Sequence, residues 1–348
     1  MITTLTDTTS SAIASALLKA RRAMGSPATG MVMTIVISCT EAEQDSAVEA
    51  AVEAGREHPS RILVAVTGRG RQNRLDAEVR IGEGTPGEIV ILQMYGRMAT
   101  HAASVVRPLL LPDSPVVVWW PGAAPADLAH HELGRLATRR VSDAMGSARP
   151  LQALRLRAEN YQPGDTDLAW TRTTQWRSLL AASLDQYPAT VLGATVSAER
   201  NSAAAKLLVA WLEARLKVPV KRGTSEGPGI TKATLETAAG DIAIVRTDGR
   251  LASYSVPGQP KRLVALKRRP VADLMAEELR RMDPDDAFRD TIKALPGPAK
   301  KSTAKKTAAK RTAAKKATAT KAAAKKSATK KTTARKTATK KATTKKAS

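Results

Sequence analysis

The stretch Leu109-Leu-Leu-Pro-Asp-Ser-Pro-Val-Val-Val-Trp-Trp-Pro-Gly122 decides how the chain folds. Pro112 and Pro115 break the backbone pattern, an apolar run from Val116 to Trp120 follows, and Pro121-Gly122 stops it. A short β-branched and aromatic block between proline breaks fits a strand buried on both faces, as in the middle of a parallel sheet. Successive strand side chains alternate, so Trp119 and Trp120 point to opposite faces. Two readings stay open for the pair. Both pack beneath helices, or one fills core while the other lies just past the strand's carboxyl end, where α/β sheets meet ligands and partners.

On the N-terminal side, Ile13, Leu17 and Ala20 recur at helical spacing within 10–23. Residues 31–39 read as a strand, and Thr40-x-x-Glu43 is a capping-box pattern opening a helix that ends at His58-Pro59. A strand over 61–66 completes a β-α-β unit, which argues for a parallel pair with a right-handed crossover. Two further strands are expected over 75–81 and 88–94, then helix over 96–110 and again to about Ala144.

C-terminal to the central stretch, helices are expected over 148–158 and 173–186, the second with Trp176, Leu179, Leu180 and Leu184 as its apolar stripe. A strand over 189–197 leads to a helix capped by Asn201. From 230 the pattern alternates, and strands over 230–237, 241–246, 251–256 and 262–266 read as an antiparallel meander with Asp248-Gly249 as a hairpin turn. Helices over 271–282 and 284–295 close the folded part. The expected fold is α/β throughout: a domain over 1–147 with a largely parallel sheet, a domain over 148–296 with the meander, and a disordered basic tail over 297–348.

The charge is unevenly spread. Of 56 Lys and Arg, 19 lie beyond residue 299 with no acid among them, leaving 37 against 32 acidic residues in the rest of the chain. The basic residues of the tail come largely in pairs every five positions, beginning Lys300/Lys301, Lys305/Lys306, Lys310/Arg311 and Lys315/Lys316. A five-residue step turns 140° net on a helix, so the pairs form no single face. Like charge without large apolar side chains favours disorder, and the tail is similar to the Ala-Lys-rich tails of linker-histone-like bacterial proteins. Either it contacts DNA or another polyanion, or it solubilises.

A lone cysteine, Cys39, excludes an internal disulfide and reads as a small buried hydrophobe. There is no apolar run of the about 20 residues needed to span a bilayer and no leader-like start, so the expected compartment is the cytoplasm, with nucleoid association through the tail as an addition. Several motifs fail on their surroundings. Gly82-Glu-Gly-Thr-Pro-Gly87 has the glycine spacing of a dinucleotide loop, but a strand follows it and Pro86 removes a donor, so it reads as a hairpin turn. Gly68 to Asn73 has the same defect. Gly223-Thr-Ser-Glu-Gly227 lacks the helix that a nucleophile elbow needs. His131-Glu-Leu-Gly-Arg135 has Arg where a zinc motif needs its second His. His58 and His101 stand alone. No catalytic set, cofactor loop or metal site emerges.

What remains is a constellation of Trp and Arg: Trp119, Trp120, Pro121, Gly122, Arg139, Arg140, Trp170, Arg172, Trp176 and Arg177. Trp170 and Trp176 lie about 120° apart on a continuous helix, so they do not share one stripe. Exposed Trp and Arg dominate protein interfaces, so the group is either a docking face or the anchor between two domains.

These blocks also carry a resemblance. LLLPDSPVVVWWPG, the run from Arg56 to Val64, the run from Leu133 to Asp143, Asp167-Leu-Ala-Trp-Thr-Arg-Thr-Thr-Gln-Trp-Arg-Ser-Leu-Leu180, Arg262 to Leu266 and Glu277 to Pro284 resemble the glucose-6-phosphate dehydrogenase assembly protein (OpcA) family over residues 1–295. The resemblance implies a non-catalytic partner of glucose-6-phosphate dehydrogenase that promotes assembly of its active oligomer in the oxidative pentose phosphate pathway. A redox switch through cysteines, as in some relatives, is at odds with a single Cys39. The alternatives are a sugar-phosphate-binding sensor or enzyme, and a nucleoid-binding protein acting through its tail.

Overall fold

The computed structural model describes residues 1–24, 30–68, 70, 72–82, 87–246 and 248–295. Its first half runs β1 (Ile2–Leu5), α1 (Ser10–Met24), β2 (Met33–Cys39), α2 (Gln44–Ala54), β3 (Ser60–Thr67), β4 (Arg74–Ile81), β5 (Glu88–Tyr95), α3 (Ala102–Val106), β6 (Val116–Trp120), β7 (Arg139–Ser142), α4 (Pro150–Asn160) and β8 (Asp165–Asp167). The second half runs α5 (Leu168–Thr171), α6 (Thr174–Gln186), β9 (Val191–Ala198), α7 (Ala203–Leu216), β10 (Val220–Thr224), β11 (Ile230–Thr237), β12 (Gly240–Arg246), β13 (Leu251–Ser255), β14 (Arg262–Ala265), α8 (Val271–Leu279) and α9 (Asp286–Ala294).

The first sheet has the order β1-β4-β5-β3-β2-β6-β7-β8. From β5 to β8 all neighbours are parallel, while β4 and β1 are antiparallel additions at one edge. Numbered along the chain, the six parallel strands lie 3-2-1-4-5-6, the doubly wound order of dinucleotide-binding folds. β6 is buried along its whole length beside β2, with Ile35 opposite Val117. Val118 and Trp120 join the layer under α1 and α3, while Val117 and Trp119 join the layer under α2 and α8. The two tryptophans therefore face opposite ways, both inward, at 1% and 2% exposure.

The second sheet has the order β10-β9-β11-β12-β13-β14, parallel at β10/β9 and antiparallel elsewhere. Ala194, Val196, Leu235, Ile242 and Ile244 face the core beneath α7. The alternating residues on the other face, among them Thr195, Ser197, Lys232, Glu236, Val245, Ser253 and Leu263, are half-buried or exposed. One face is packed and the other is open, as antiparallel sheets allow.

Several local expectations change. The helix expected over 96–110 is broken: 3-10 turns at Gly96–Thr100 and Arg107–Leu109 flank the short α3. Gly96 sits at φ +60° with Gln72 O 2.9 Å from where a Cβ would be, which starts the chain badly for a helix. No α-helix occupies 121–144; β7 lies there instead, with Arg139 and Arg140 buried. Polar residues in a buried strand defeat an apolar periodicity, and β8, Asp-Thr-Asp, hides for the same reason. β1 and β10 were also not anticipated. The cap of α7 is Ser202, whose Oγ accepts from Ala205 N, in place of Asn201. β8 and α8 complete the first sheet and its cover, so the chain returns to that sheet after residue 147. β4 and β5 pair antiparallel with Ile81 opposite Glu88, as the hairpin expected around Gly82 to Gly87 requires. Residues 83–86 of its turn, Arg69 and Arg71 of the Gly68 to Asn73 loop, and the basic tail from Lys300 and Lys301 through Lys305, Lys306, Lys310, Arg311, Lys315 and Lys316 lie outside the described residues. Among the described residues no helix is long and apolar enough to cross a membrane.

Candidate functional site

In a doubly wound sheet the ligand crevice opens where strand order reverses, at the carboxyl ends of β2 and β6. A dinucleotide needs a glycine-rich turn there and free N–H groups at the following helix. After β2 the chain instead reads Thr40-Glu-Ala-Glu43, without glycine. The expected capping box forms: Thr40 N and Thr40 Oγ1 both donate to Glu43 Oε2 at 2.9 Å. From the other strand end Gly122 presses on the same carboxylate, since a Cβ there would lie 1.8 Å from Glu43 Oε1. Glu41 and Asp45 add negative charge to the same turns. A pyrophosphate would meet a filled, acidic space, so these residues do not fit a dinucleotide.

The Trp and Arg constellation comes together, but it points inward. Trp119, Trp120, Trp170 and Trp176 are each at most 2% exposed. The helical-wheel expectation for Trp170 and Trp176 assumed one helix, whereas the chain breaks between α5 and α6 and both reach the second core. Trp170 Nε1 donates to Asp285 at 2.8 Å, and the Arg177 guanidinium stacks 3.6 Å over its ring. Burial lowers the Arg177 pKa to about 10. Arg172 makes a two-toothed pair with Asp143 at 2.7 and 2.8 Å. On β7, Arg139 bonds Glu278 of α8, which also accepts from Thr171, while Arg140 bonds Asp165 of β8. Pro121 and Gly122 lead from β6 into this framework. Of the ten candidates, Pro121, Arg172 and Arg177 are half-buried and the rest are buried.

The residues that sequence reasoning missed are the carboxylate partners. Asp143, Asp165, Asp167, Glu278 and Asp285 all lie in or beside the Trp- and Arg-bearing blocks, and that proximity was the available signal. Asp167 ends β8, fully buried, and accepts from Ser142 Oγ at 2.6 Å and from the N–H groups of Ala144 and Ala169. Burial, aided by the neighbouring Asp143, pushes its pKa up to about 6. These two acids line a cavity of about 290 Å³ with Gly122, Gln152, Arg149 and Arg157. Arg157 is itself buried and donates to the carbonyls of Pro125 and Ala126, bridging the 121–138 loop to α4.

The isolated residues behave as packing groups. Cys39 is buried, and burial together with Glu43 raises its thiol pKa to about 12. His131 meets the Trp120 ring edge-on at 5.7 Å and accepts from Leu133 N, with its pKa lowered by burial. His130 is exposed and pairs with Asp127. His101 lies at the start of α3, not within a helix. Among the described residues no group of three or more His, Cys, Asp or Glu is placed to hold a metal ion.

The chain is thus a two-sheet α/β protein with dinucleotide-fold topology, whose crevice is closed by its own side chains. Its family is shown by comparison of the sequence. The chain belongs to the glucose-6-phosphate dehydrogenase assembly (OpcA) family: residues 51–159 match the glucose-6-phosphate dehydrogenase subunit N-terminal domain, and residues 163–292 match the C-terminal domain. No curated protein matches the chain. Among solved structures it is similar to an oxidoreductase from Sinorhizobium meliloti, at 9% identity over 76% of this chain and 94% of that one, with a TM-score of 0.41. It is also similar to the WlbA dehydrogenase from Chromobacterium violaceum, at 8% identity over 76% and 91% of the two chains, with a TM-score of 0.32.

Proposed function

We propose that this protein is a non-catalytic accessory subunit that binds glucose-6-phosphate dehydrogenase and promotes assembly of its active oligomer. The observation that carries the reading is the tandem match, in order and nearly without a gap, to the two domains of the assembly family. The filled crevice at Gly122 and Glu43 supports a role without turnover.

The docking surface we assign is the open face of the second sheet, with Leu263 at 71% exposure and Leu251 at 40%. Six strands of about six residues span roughly 25 Å by 20 Å. That is on the order of 500 Å², a large share of the about 800 Å² per partner in a standard interface. The Trp170–Arg177 segment packs on the opposite side of this sheet, so it supports the face from behind. A separable role for the tail, contact with DNA or another polyanion, is supported by its 19 positive charges without an acid.

The test mixes the full chain with the dehydrogenase and follows activity and sedimentation. Activity and oligomer size should rise together. Leu263→Asp should weaken the effect at least tenfold in the concentration required, with the melting temperature unchanged. If neither activity nor sedimentation responds to the wild-type chain, the assembly reading fails. If Leu263→Asp works as well as wild type, the face is wrong and assembly stands. Self-association of the chain alone, abolished by Leu263→Asp, would assign the face to a second copy.

A further inference from the structure

We propose that the cavity between α6, the N-terminus of α7 and the ends of β12 and β14 binds a small phosphomonoester dianion of the size of a phosphorylated sugar. The cavity measures about 220 Å³, below the about 300–1,000 Å³ of drug-sized sites, so it suits one phosphorylated ring and not a dinucleotide. The site rests on cations that form no ion pair among the described residues.

Arg246, Lys267 and Arg268 line it together. None of the three has an ion pair among the described residues. Arg246 Nη2 donates to Ile230 O, its guanidinium lies 5.2 Å from the centre of the Trp176 ring, and its buried Nε has no partner. Arg268 is held in place through its backbone, whose N–H donates to Gly249 O at 2.8 Å, and its side chain has no hydrogen-bond partner among the described residues. Two other lining arginines are already spent, Arg172 on Asp143 and Arg269 on Glu277. Glu199 is the one carboxylate among the described lining residues. Three cations without an ion pair among the described residues, against one acid, leave a surplus of about two charges, the charge of a phosphomonoester near neutral pH, whose second pKa is about 6.

The surroundings favour the same ligand. Ser202 caps the 14-residue α7, and Ser202 and Ala204 line the cavity, so the positive end of a long helix lies at its wall. Burial first, and the neighbouring Arg268 second, lower the Arg246 pKa to about 10, and a bound dianion would favour the charged guanidinium. Arg246 is half-buried with its Nε out of water, while Lys267 and Arg268 stand exposed at the mouth of the cavity. The inference does not depend on the assembly role.

The experiment follows the melting temperature of the full chain with glucose 6-phosphate, inorganic phosphate and glucose as probes. A ligand that binds the folded state shifts the transition, whereas anions on the tail bind folded and unfolded chains alike and cancel. Glucose 6-phosphate and phosphate should raise the melting temperature, and glucose should not. Arg268→Gln removes a side chain with no internal bond, so the free variant should melt no lower than wild type while its affinity for glucose 6-phosphate falls at least tenfold. Arg135→Gln, an exposed site elsewhere, should respond like wild type. No shift of the wild-type chain with either phosphate, or an undiminished shift in Arg268→Gln, would overturn the proposal.

Discussion

Arg139 and Glu278 stand 139 positions apart in sequence and form an ion pair with side chains only 5% and 6% exposed. The pair joins β7 of the first sheet to α8, and Thr171 Oγ1 donates to the same carboxylate from α5. Arg139 also donates to Asp283 O at 2.8 Å. One buried pair therefore ties the sheet to two late segments of the chain. Breaking a buried pair strands a charge and costs about 3–5 kcal/mol, whereas replacing both partners by apolar groups is often neutral. Arg139→Met should lose about that much in urea unfolding of the full chain, and Arg139→Met with Glu278→Leu should recover most of it. Equal losses in the single and double variants would show that the pair does not act as a unit.

Asp167 gives stability a pH dependence of defined sign. Its folded pKa of about 6 lies above the ordinary 3.8, because burial and Asp143 penalise the charged form. Protonation thus favours the fold: the contribution is full below about pH 4 and is lost as pH rises through about 6. Two pKa units correspond to about 2–3 kcal/mol. Asp167→Asn keeps an acceptor for Ala169 N without the charge. Its stability relative to wild type should improve by about that amount between pH 4 and pH 7, measured by chemical unfolding. A difference that stays flat with pH would refute the assignment.

Cys39 should be inert to thiol reagents in the native chain and react fully on unfolding. Its thiol is buried with its pKa near 12, so the thiolate is scarce at neutral pH. Dehydrogenase activation by this protein should consequently be the same under oxidising and reducing conditions. Fast labelling of the folded protein would contradict both statements.

The tail makes a separate electrostatic prediction. If about a third of its 19 charges neutralise DNA phosphates, affinity should fall with salt at a log–log slope of roughly −5 to −6, without sequence preference. Deleting 299–348 should abolish retention on DNA and leave activation of the dehydrogenase in place. Loss of activation on deletion would mean that the tail steers an acidic partner.

The apolar grammar of the chain was legible in its sequence. Val116–Trp120 announced a central strand, and alternation from Ile230 announced the meander, because both bury side chains that water rejects. What stayed hidden were elements buried through charge. Arg139-Arg-Val-Ser142 and Asp165-Thr-Asp167 look like surface until the partner of each charge is known, and Glu278 lies more than a hundred residues away. For the same reason a neighbourhood of Trp and Arg fits a docking face and an internal anchor equally well until the acids that pair with the arginines are known. The cluster of Arg246, Lys267 and Arg268 was illegible too, since two bends of the chain separate its members.

The contact between Gly122 and Glu43 also constrains how this chain can drift. A side chain at position 122 has no room while Glu43 keeps its length, and shortening Glu43 uncaps the turn that leads into α2. Neither position can change alone without loss. Opening a nucleotide crevice here would take glycines at 40–43 and a new cap arriving together, so no single substitution produces one.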